Sequence, residues 1–361
     1  MNIALIYEKF ISRGGLENYL YSLAGELVAQ GVKLDIITGE TDSVTAQLEN
    51  CHFHRIPRKS LKQFAAGAES ELAKLSVDAS IGFGRTVSHD LHRAGGGCHR
   101  YYSDHILHPL KRISSKNRSE LALERELYIS GKTRHFIVNS EMVSEQLQEA
   151  YDLRADQISV IHTAVDSEKF RPAPSEEARQ KTRGSLSTKE VVFLFVSMNH
   201  RRKGLDALLE AWPQTGPEAN LWIVGPELAA RHQRAIQKSG IANRVCHFLQ
   251  PEDLVSLYQA ADFFIHPTLY DACANTVLQS MACGLPGLIS TRDGARQFVD
   301  EGETGFLLPY PTDIDEIAGK VMELSGLPGE NRAKMARNCR ERMLPLTWQH
   351  HVEQWMKQLP D

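Results

Sequence analysis

The sequence predicts two doubly wound α/β domains in tandem, and three observations carry that reading. Short apolar runs of strand length alternate with helical stretches along nearly the whole chain, the pattern of a parallel sheet covered on both faces. The alternation pauses once, at the proline-containing charged segment "FRPAPSEEARQKTRGSLSTKE" (170–190), which reads as a linker, and then restarts. With 361 residues, 42% hydrophobic and 24% charged, the chain is long enough for two ordinary cores and has a globular composition.

Taken in order, "NIALIY" (2–7) is a buried-type strand, and "GGLENYLYSLAGELVAQG" carries Leu16, Leu20, Leu23 and Leu27 at helical spacing before Gly31. The strand "KLDIIT" and a helical pattern near 60–75 follow. The runs "ASIGF" and "LHRAGGG", a long helical stretch to about 131, the strand "HFIVNS", the helix "EMVSEQLQEAY" and the run "ISVIHTAVD" complete the first half. After the linker come strand "VVFLFVS", helix "KGLDALLEAW", strand "NLWIVG", helix "ELAARHQRAIQKSG", strand "RVCHFL", helix "PEDLVSLYQAA", strand "DFFIHPT" and helix "ANTVLQSMACG". The tail "TWQHHVEQWMKQL" (347–359) is an amphipathic helix bearing Trp348 and Trp355. The expected domains are therefore 1–168 and 169–345, with a helix in 346–361 packing back on the first. Such domains are expected to face each other across a cleft, with ligands outside the C-terminal ends of the strands.

A formal charge of −4 gives no global reason to bind nucleic acid. Six cysteines at 51, 98, 246, 273, 283 and 339 form no CxxC pair, so reduced thiols and a cytoplasmic location are expected. The N-terminus lacks a basic head and cleavage site, and no apolar run approaches the roughly 18 to 20 residues that span a bilayer. Membrane contact is expected to be peripheral at most.

Three places carry candidate chemistry. Gly14 and Gly15 lie between the first strand and helix, where helix amides can meet an anion or a ligand can approach the backbone; a tight turn is the alternative. Arg201, Arg202 and Lys203 follow the first strand of the second half, where cations can neutralise a diphosphate leaving group; a solvated basic turn is the alternative. In "YDACANTVLQSMACGLP" (270–286), Asp271 precedes a helix whose face carries Asn275, Thr276 and Gln279. Eight helical residues span about 12 Å, so Asp271 and Gln279 can bracket a nucleotide sugar, with its diphosphate on the helix amides between them; a capping loop and polar helix face is the alternative.

"GGLE", "RRKG", "HPTLYDACANTVLQSMACGLP" and "TGFLLP", in this order, resemble the retaining family 4 (group 1) glycosyltransferases of GT-B fold, and within them the lipopolysaccharide core glucosyltransferase branch. The resemblance spans essentially the whole chain. It implies that Asp271 lies near the donor sugar and that Gln279 meets the ribose, in a motif that normally reads Glu-x7-Glu and here reads Asp-x7-Gln. An amide accepts a hydroxyl proton less strongly than a carboxylate. The segment "VIHTAVDSEKFRP" is similar to the family's hinge, with His162, Thr163 and Ala164 in place of the usual residues. His99, after three glycines, matches the position that lines the donor sugar from the first domain; a structural histidine is the alternative. Base recognition is expected near Leu249 and Gln250.

The basic stretch "HRYYSDHILHPLKRISSKNR" (99–118) contains Lys111, Arg112, Lys116 and Arg118, and is either a contact for anionic lipid or a phosphorylated acceptor, or a solvated loop. The resulting expectation is transfer of a hexose from a nucleotide diphosphate sugar to a glycan or glycolipid acceptor, with retention and without metal or other cofactor. His99 and Asp271 are the catalytic candidates. Gly14, Gly15, Arg202, Lys203, Asn275, Thr276 and Gln279 are the donor-binding ones. A catalytically weak partner subunit and a nucleotide-sugar epimerase are the competing classes.

Overall fold

A computed structural model describes residues 1–11, 14–43, 48–184, 190–249, 251 and 253–360. The chain divides into two compact units, one formed by Met1–Ala164 with Trp348–Asp361 and the other by Val165–Thr347.

The first unit runs β1 (Asn2–Ile6), α1 (Gly15–Ala29), β2 (Lys33–Thr38), β3 (Cys51–Arg55), α2 (Leu61–Leu72), β4 (Ala79–Phe83), β5 (His89–Arg93), α3 (His99–His105), α4 (Pro109–Arg112), α5 (Ser115–Ile129), β6 (Thr133–Val138), α6 (Glu141–Tyr151) and β7 (Ile158–Val160). Its seven strands are parallel in the order β3-β2-β1-β4-β5-β6-β7. Central β1 is registered with Ile3 beside Leu34 on one side and Ala79 on the other. The chain order therefore reverses between β1 and β4, the switch point of a doubly wound sheet.

Two sequence expectations need revision here. The stretch before 131 is three helices rather than one, because Pro109 opens α4 and the Ser114 side chain caps α5 by accepting from the Asn117 amide. Residues 99–118 are thus mostly helical. Strand β3 was not anticipated: "CHFHR" is a half-exposed edge strand whose histidines mask its period.

The second unit runs α7 (Glu176–Arg183), β8 (Val191–Val196), α8 (Leu205–Ala211), β9 (Ala219–Val224), α9 (Ala230–Lys238), β10 (Val245–Phe248), α10 (Leu254–Ala260), β11 (Phe263–His266), α11 (Asn275–Ala282), β12 (Gly287–Ser290), β13 (Gly305–Leu308), α12 (Ile314–Ser325) and α13 (Gly329–Met343). Its sheet is again wholly parallel, in the order β10-β9-β8-β11-β12-β13, with the switch point between β8 and β11. Every residue of β8 and β9 is buried, as central strands covered on both faces must be. One apolar cluster on Phe264, Leu278 and Met281 and another on Phe193, Leu208 and Trp212 build the core.

The presumed linker contains α7. Ser175 caps it, Glu176 and Glu177 occupy its first turn, and Lys181 and Arg183 its last, which matches both ends of the helix dipole. Arg179 and Arg183 then bind the largely covered Asp262 carboxylate at 2.6 and 2.9 Å, fixing the helix to the second unit.

The last helix, α14 (Trp348–Met356), belongs to the first unit. It buries Val352 and Trp355 in the cluster of Leu5, Leu20 and Phe83. Its His351 donates from Nδ1 to the His162 carbonyl (2.7 Å), while Nε2 receives the Tyr19 hydroxyl (2.8 Å) and the Trp355 indole N–H (3.1 Å). That arrangement needs a neutral ring, and burial, reinforced by Arg93, pushes His351 down to about 3. Among the described residues, no helix is long and apolar enough to cross a membrane, and all six cysteines are free.

Candidate active site

The second unit concentrates its charge where its sheet reverses order. Leaving β8, the chain turns through Asn199–Lys203, and this turn is fastened to the segment leaving β11. The Leu269 amide and the Thr268 hydroxyl both donate to the Arg202 carbonyl, at 2.8 and 3.2 Å. Gly204 has φ +87°, and a Cβ there would lie 2.1 Å from the Pro267 carbonyl oxygen, so only glycine permits this approach. The turn therefore delivers Arg202 and Lys203 to the C-terminal edge of β8 and β11.

There the Lys203 ammonium contacts the Asp271 carboxylate and lies 3.4 Å from His266 Nε2. Burial lowers Lys203 from the usual lysine range to about 7; Asp293 pulls it back up, and Arg202 adds to the depression. Behind it, His266 and Asp293 are both fully buried, with His266 Nε2 3.4 Å from Asp293 Oδ2. Burial keeps His266 neutral, its value held well below the normal histidine range, and raises that of Asp293, a rise opposed by the Lys203 charge and by the Ala295 and Ala274 amides, which favour the anion. Asp293 Oδ1 accepts from the Ala274 and Ala295 amides at 3.0 and 2.8 Å, while Asp271 and Asp293 are joined by a short parallel bridge. One donor atom from each of His266, Asp271 and Asp293 lies within 4.8 Å of the others, and the cation in contact with that group is the lysine.

Helix α11 starts directly after this loop. Its N-cap, Ala274, offers no side-chain acceptor; its own amide donates to Asp293 and the Val277 amide to the Ala274 carbonyl, so the Asn275 and Thr276 amides are those placed to meet an anion. Asn275, Thr276 and Gln279 are partly exposed while Val277, Leu278 and Met281 are buried, so the polar strip read from the spacing forms one face. Gln279 Oε1 also receives the Tyr258 hydroxyl at 3.4 Å. Arg202, Lys203 and Asp271 thus meet at one place, and Asn275, Thr276 and Gln279 line the helix leading from it. Arg201 is exposed. Leu249 is exposed after β10, and Gln250 lies outside the described residues.

The first-unit candidates are held differently. Gly14 caps α1 with φ +104°, and a Cβ there would meet Glu17 Oε2 at 2.3 Å. The chain's own carboxylate therefore sits at this helix N-terminus, where the Tyr7 hydroxyl donates to it at 3.5 Å. Gly15 faces open space. His99 begins α3, with Nε2 2.8 Å from Asn117 Oδ1 and 3.1 Å from Glu120 Oε2. Its backbone amide donates to Glu124, a fully buried carboxylate that also receives the Arg100 amide and the Tyr151 hydroxyl.

Sequence reasoning missed His266 and Asp293. His266 looked like the end of a buried strand, and Asp293 follows β12, a four-residue strand that was not anticipated. An acid just before a glycine at a strand's C-terminal end was the available signal.

Residues 176–342 match the family model described as Glycosyl transferases group 1, and residues 13–169 match that described as Glycosyltransferase Family 4. The lipopolysaccharide glucosyltransferase WaaG of Escherichia coli (strain K12) is 21% identical over 359 residues, covering 94% of this chain and 93% of that protein. The crystal structure of WaaG, a glycosyltransferase involved in lipopolysaccharide biosynthesis, superposes with a TM-score of 0.85 at 19% identity over 99% of both chains. Alr3699/HepE of Anabaena, solved in complex with UDP and glucose, gives 0.75 at 18% identity, again over 99% of both.

Proposed function

The chain belongs to the group 1 glycosyltransferases, and from that membership we propose that it moves a hexose from a nucleotide diphosphate sugar to a glycan or glycolipid hydroxyl, with retention at the anomeric carbon. The observation that carries this reading is the pairing of the Lys203 ammonium with Asp271 immediately before the start of α11. Arg202, Lys203 and the α11 amides are suited to the diphosphate, as charge-assisted donors are the stronger kind. Asp271 is then released to accept from hydroxyls of the sugar, and Gln279, with Asn275 and Thr276 along the same face, reaches toward the ribose.

In this reading the sugar–phosphate C–O bond breaks as the acceptor oxygen bonds the same face of the anomeric carbon. The acceptor proton passes to the departing phosphate oxygen, so no protein nucleophile takes part. The lysine supplies positive charge in contact with Asp271, which supports a transfer without metal. The HepE complex with UDP and glucose makes UDP-glucose the first donor to test, and likeness to a lipopolysaccharide glucosyltransferase points to a cell-envelope acceptor.

The proposal includes peripheral contact with anionic lipid on the cytoplasmic side. Leu110 and Ile113 expose 73% and 70% of their surface beside Lys111, Lys116 and Arg118, and such apolar tips among cations suit a headgroup boundary. Neutralising Lys111, Arg112, Lys116 and Arg118 together is expected to weaken sedimentation with anionic liposomes. Unchanged sedimentation would remove the membrane from the reading.

The deciding experiment is calorimetry of UDP-, GDP-, ADP- and TDP-sugars against the protein and Gln279→Glu. One nucleotide class is expected to bind, about three- to tenfold more tightly to the Glu variant. Binding by neither protein would overturn the transferase reading; binding without turnover would favour the partner-subunit class, motivated by the amide at Gln279.

A further inference from the structure

We infer that Asp293 is a positioning residue of the donor site, acting as the fixed counter-charge that keeps Lys203 in its cationic, phosphate-binding form while its other oxygen holds the loop that leads into α11. This rests on the reading of Lys203 as a diphosphate ligand.

The two carboxylate oxygens have separate surroundings. Oδ1 receives two backbone amides, Ala274 at 3.0 Å and Ala295 at 2.8 Å. The first belongs to the residue immediately before α11, so this oxygen fixes where the helix amides begin. Oδ2 has no hydrogen-bond partner among the described residues, although Asp293 is completely buried. A buried carboxylate oxygen left in this state is expensive and calls for a reason. Oδ2 lies 3.4 Å from His266 Nε2, and that nitrogen is 3.4 Å from Lys203 Nζ. The orphaned oxygen is thus one neutral imidazole away from the buried ammonium.

The ammonium has two acidic neighbours with different duties. Asp271 is partly exposed and touches Lys203 directly, so a sugar hydroxyl can compete for it. Once Asp271 turns to the sugar, Lys203 keeps Asp293, among the described residues, as its fixed anion. The other groups facing it are neutral His266 from β11 and like-charged Arg202 from its own turn. A lysine buried among these without Asp293 would shed its proton more readily.

The test is Asp293→Asn, which retains an oxygen for the two amides, removes the charge and places an amide NH2 where Oδ2 faces His266. The nucleotide sugar's diphosphate stays fully ionised across the range, so pH reports on the protein. Calorimetry of UDP-glucose, or of whichever nucleotide sugar the panel identifies, is run from pH 6 to pH 8.5 with both proteins. Wild-type affinity is expected to weaken above about pH 7, where Lys203 loses its proton. In the variant the decline should begin about one pH unit lower, making binding about tenfold weaker at pH 8 and only about twofold weaker at pH 6.

A loss by the same factor at every pH, or no loss, would overturn the inference by making Asp293 only a loop anchor or dispensable. Asp293→Ala, lacking both oxygens, should lose affinity at every pH and melt at lower temperature, which separates the loop's contribution from the charge. Failure of the wild type to bind any nucleotide sugar would overturn the donor-site reading itself, and this inference with it.

Discussion

The two units share a sheet order, yet the ends of their first strands are finished in opposite ways. After β8, a turn delivers Arg202 and Lys203 to the edge where Asp271 precedes α11, the helix that follows neighbouring β11. After β1, Glu17 occupies the helix N-terminus and Tyr7 donates to it. A doubly wound sheet supplies the same location twice, and the loop residues decide whether cations or a carboxylate stand there.

The largest expected effect follows from breaking the charged end. Lys203→Ala should lower transfer by about 10²- to 10³-fold, the range for removal of one donor aimed at developing charge, and should also lower the melting temperature, because Asp293 stays fully buried without its cation. Steady-state kinetics with a melting curve checks this. Activity within threefold of wild type would move the diphosphate away from this edge.

A smaller effect concerns how the first unit seats its last helix. His351→Leu leaves the Tyr19 hydroxyl, the Trp355 indole and the His162 carbonyl without their partner, at about 1–3 kcal/mol for each group left buried. The intact histidine should also make the unit acid-sensitive. Its folded value of about 3 lies below the normal histidine value, so its contribution is present above about pH 6.5 and is lost as pH falls, by up to about 1.4 kcal/mol per pH unit. His89, also lowered to about 3 by burial, acts in the same direction. Denaturant unfolding between pH 7 and 5 should therefore show a shallower pH dependence in the variant, and equal slopes would remove His351 from the account.

The same contrast explains what the sequence made readable. Central strands such as β8 and β9 announce themselves because both faces are buried, and α11 because its polar and apolar residues separate at helical spacing. Edge strand β3 has its period masked by histidines, and β12 and β13 each open on a glycine and show only a brief apolar run. Helix α7 was hidden by the prolines before it, although Ser175 and the charge order along it were available signals. At the site, the candidate residues Arg202, Lys203, Asp271 and Gln279 stand in one motif or turn. Their buried support, His266 and Asp293, comes from separate strands and acts only through tertiary proximity, which no local spacing reports.

The smallest expected effect separates the two adjacent glycines. At Gly14 a side chain must adopt φ +104° and displace Glu17, so Gly14→Ala should cost about 1–3 kcal/mol. Gly15 is the first residue of α1, with nothing within 4 Å of a Cβ, so Gly15→Ala should stay within about 0.5 kcal/mol of wild type. Stability alone therefore does not require the second glycine. If its bare backbone serves the donor, Gly15→Ala should melt as the wild type does and still bind nucleotide sugar several-fold more weakly. Equal affinity would make the pair a turn device, with only Gly14 conformationally required, and would leave donor binding to the charged end of the second unit.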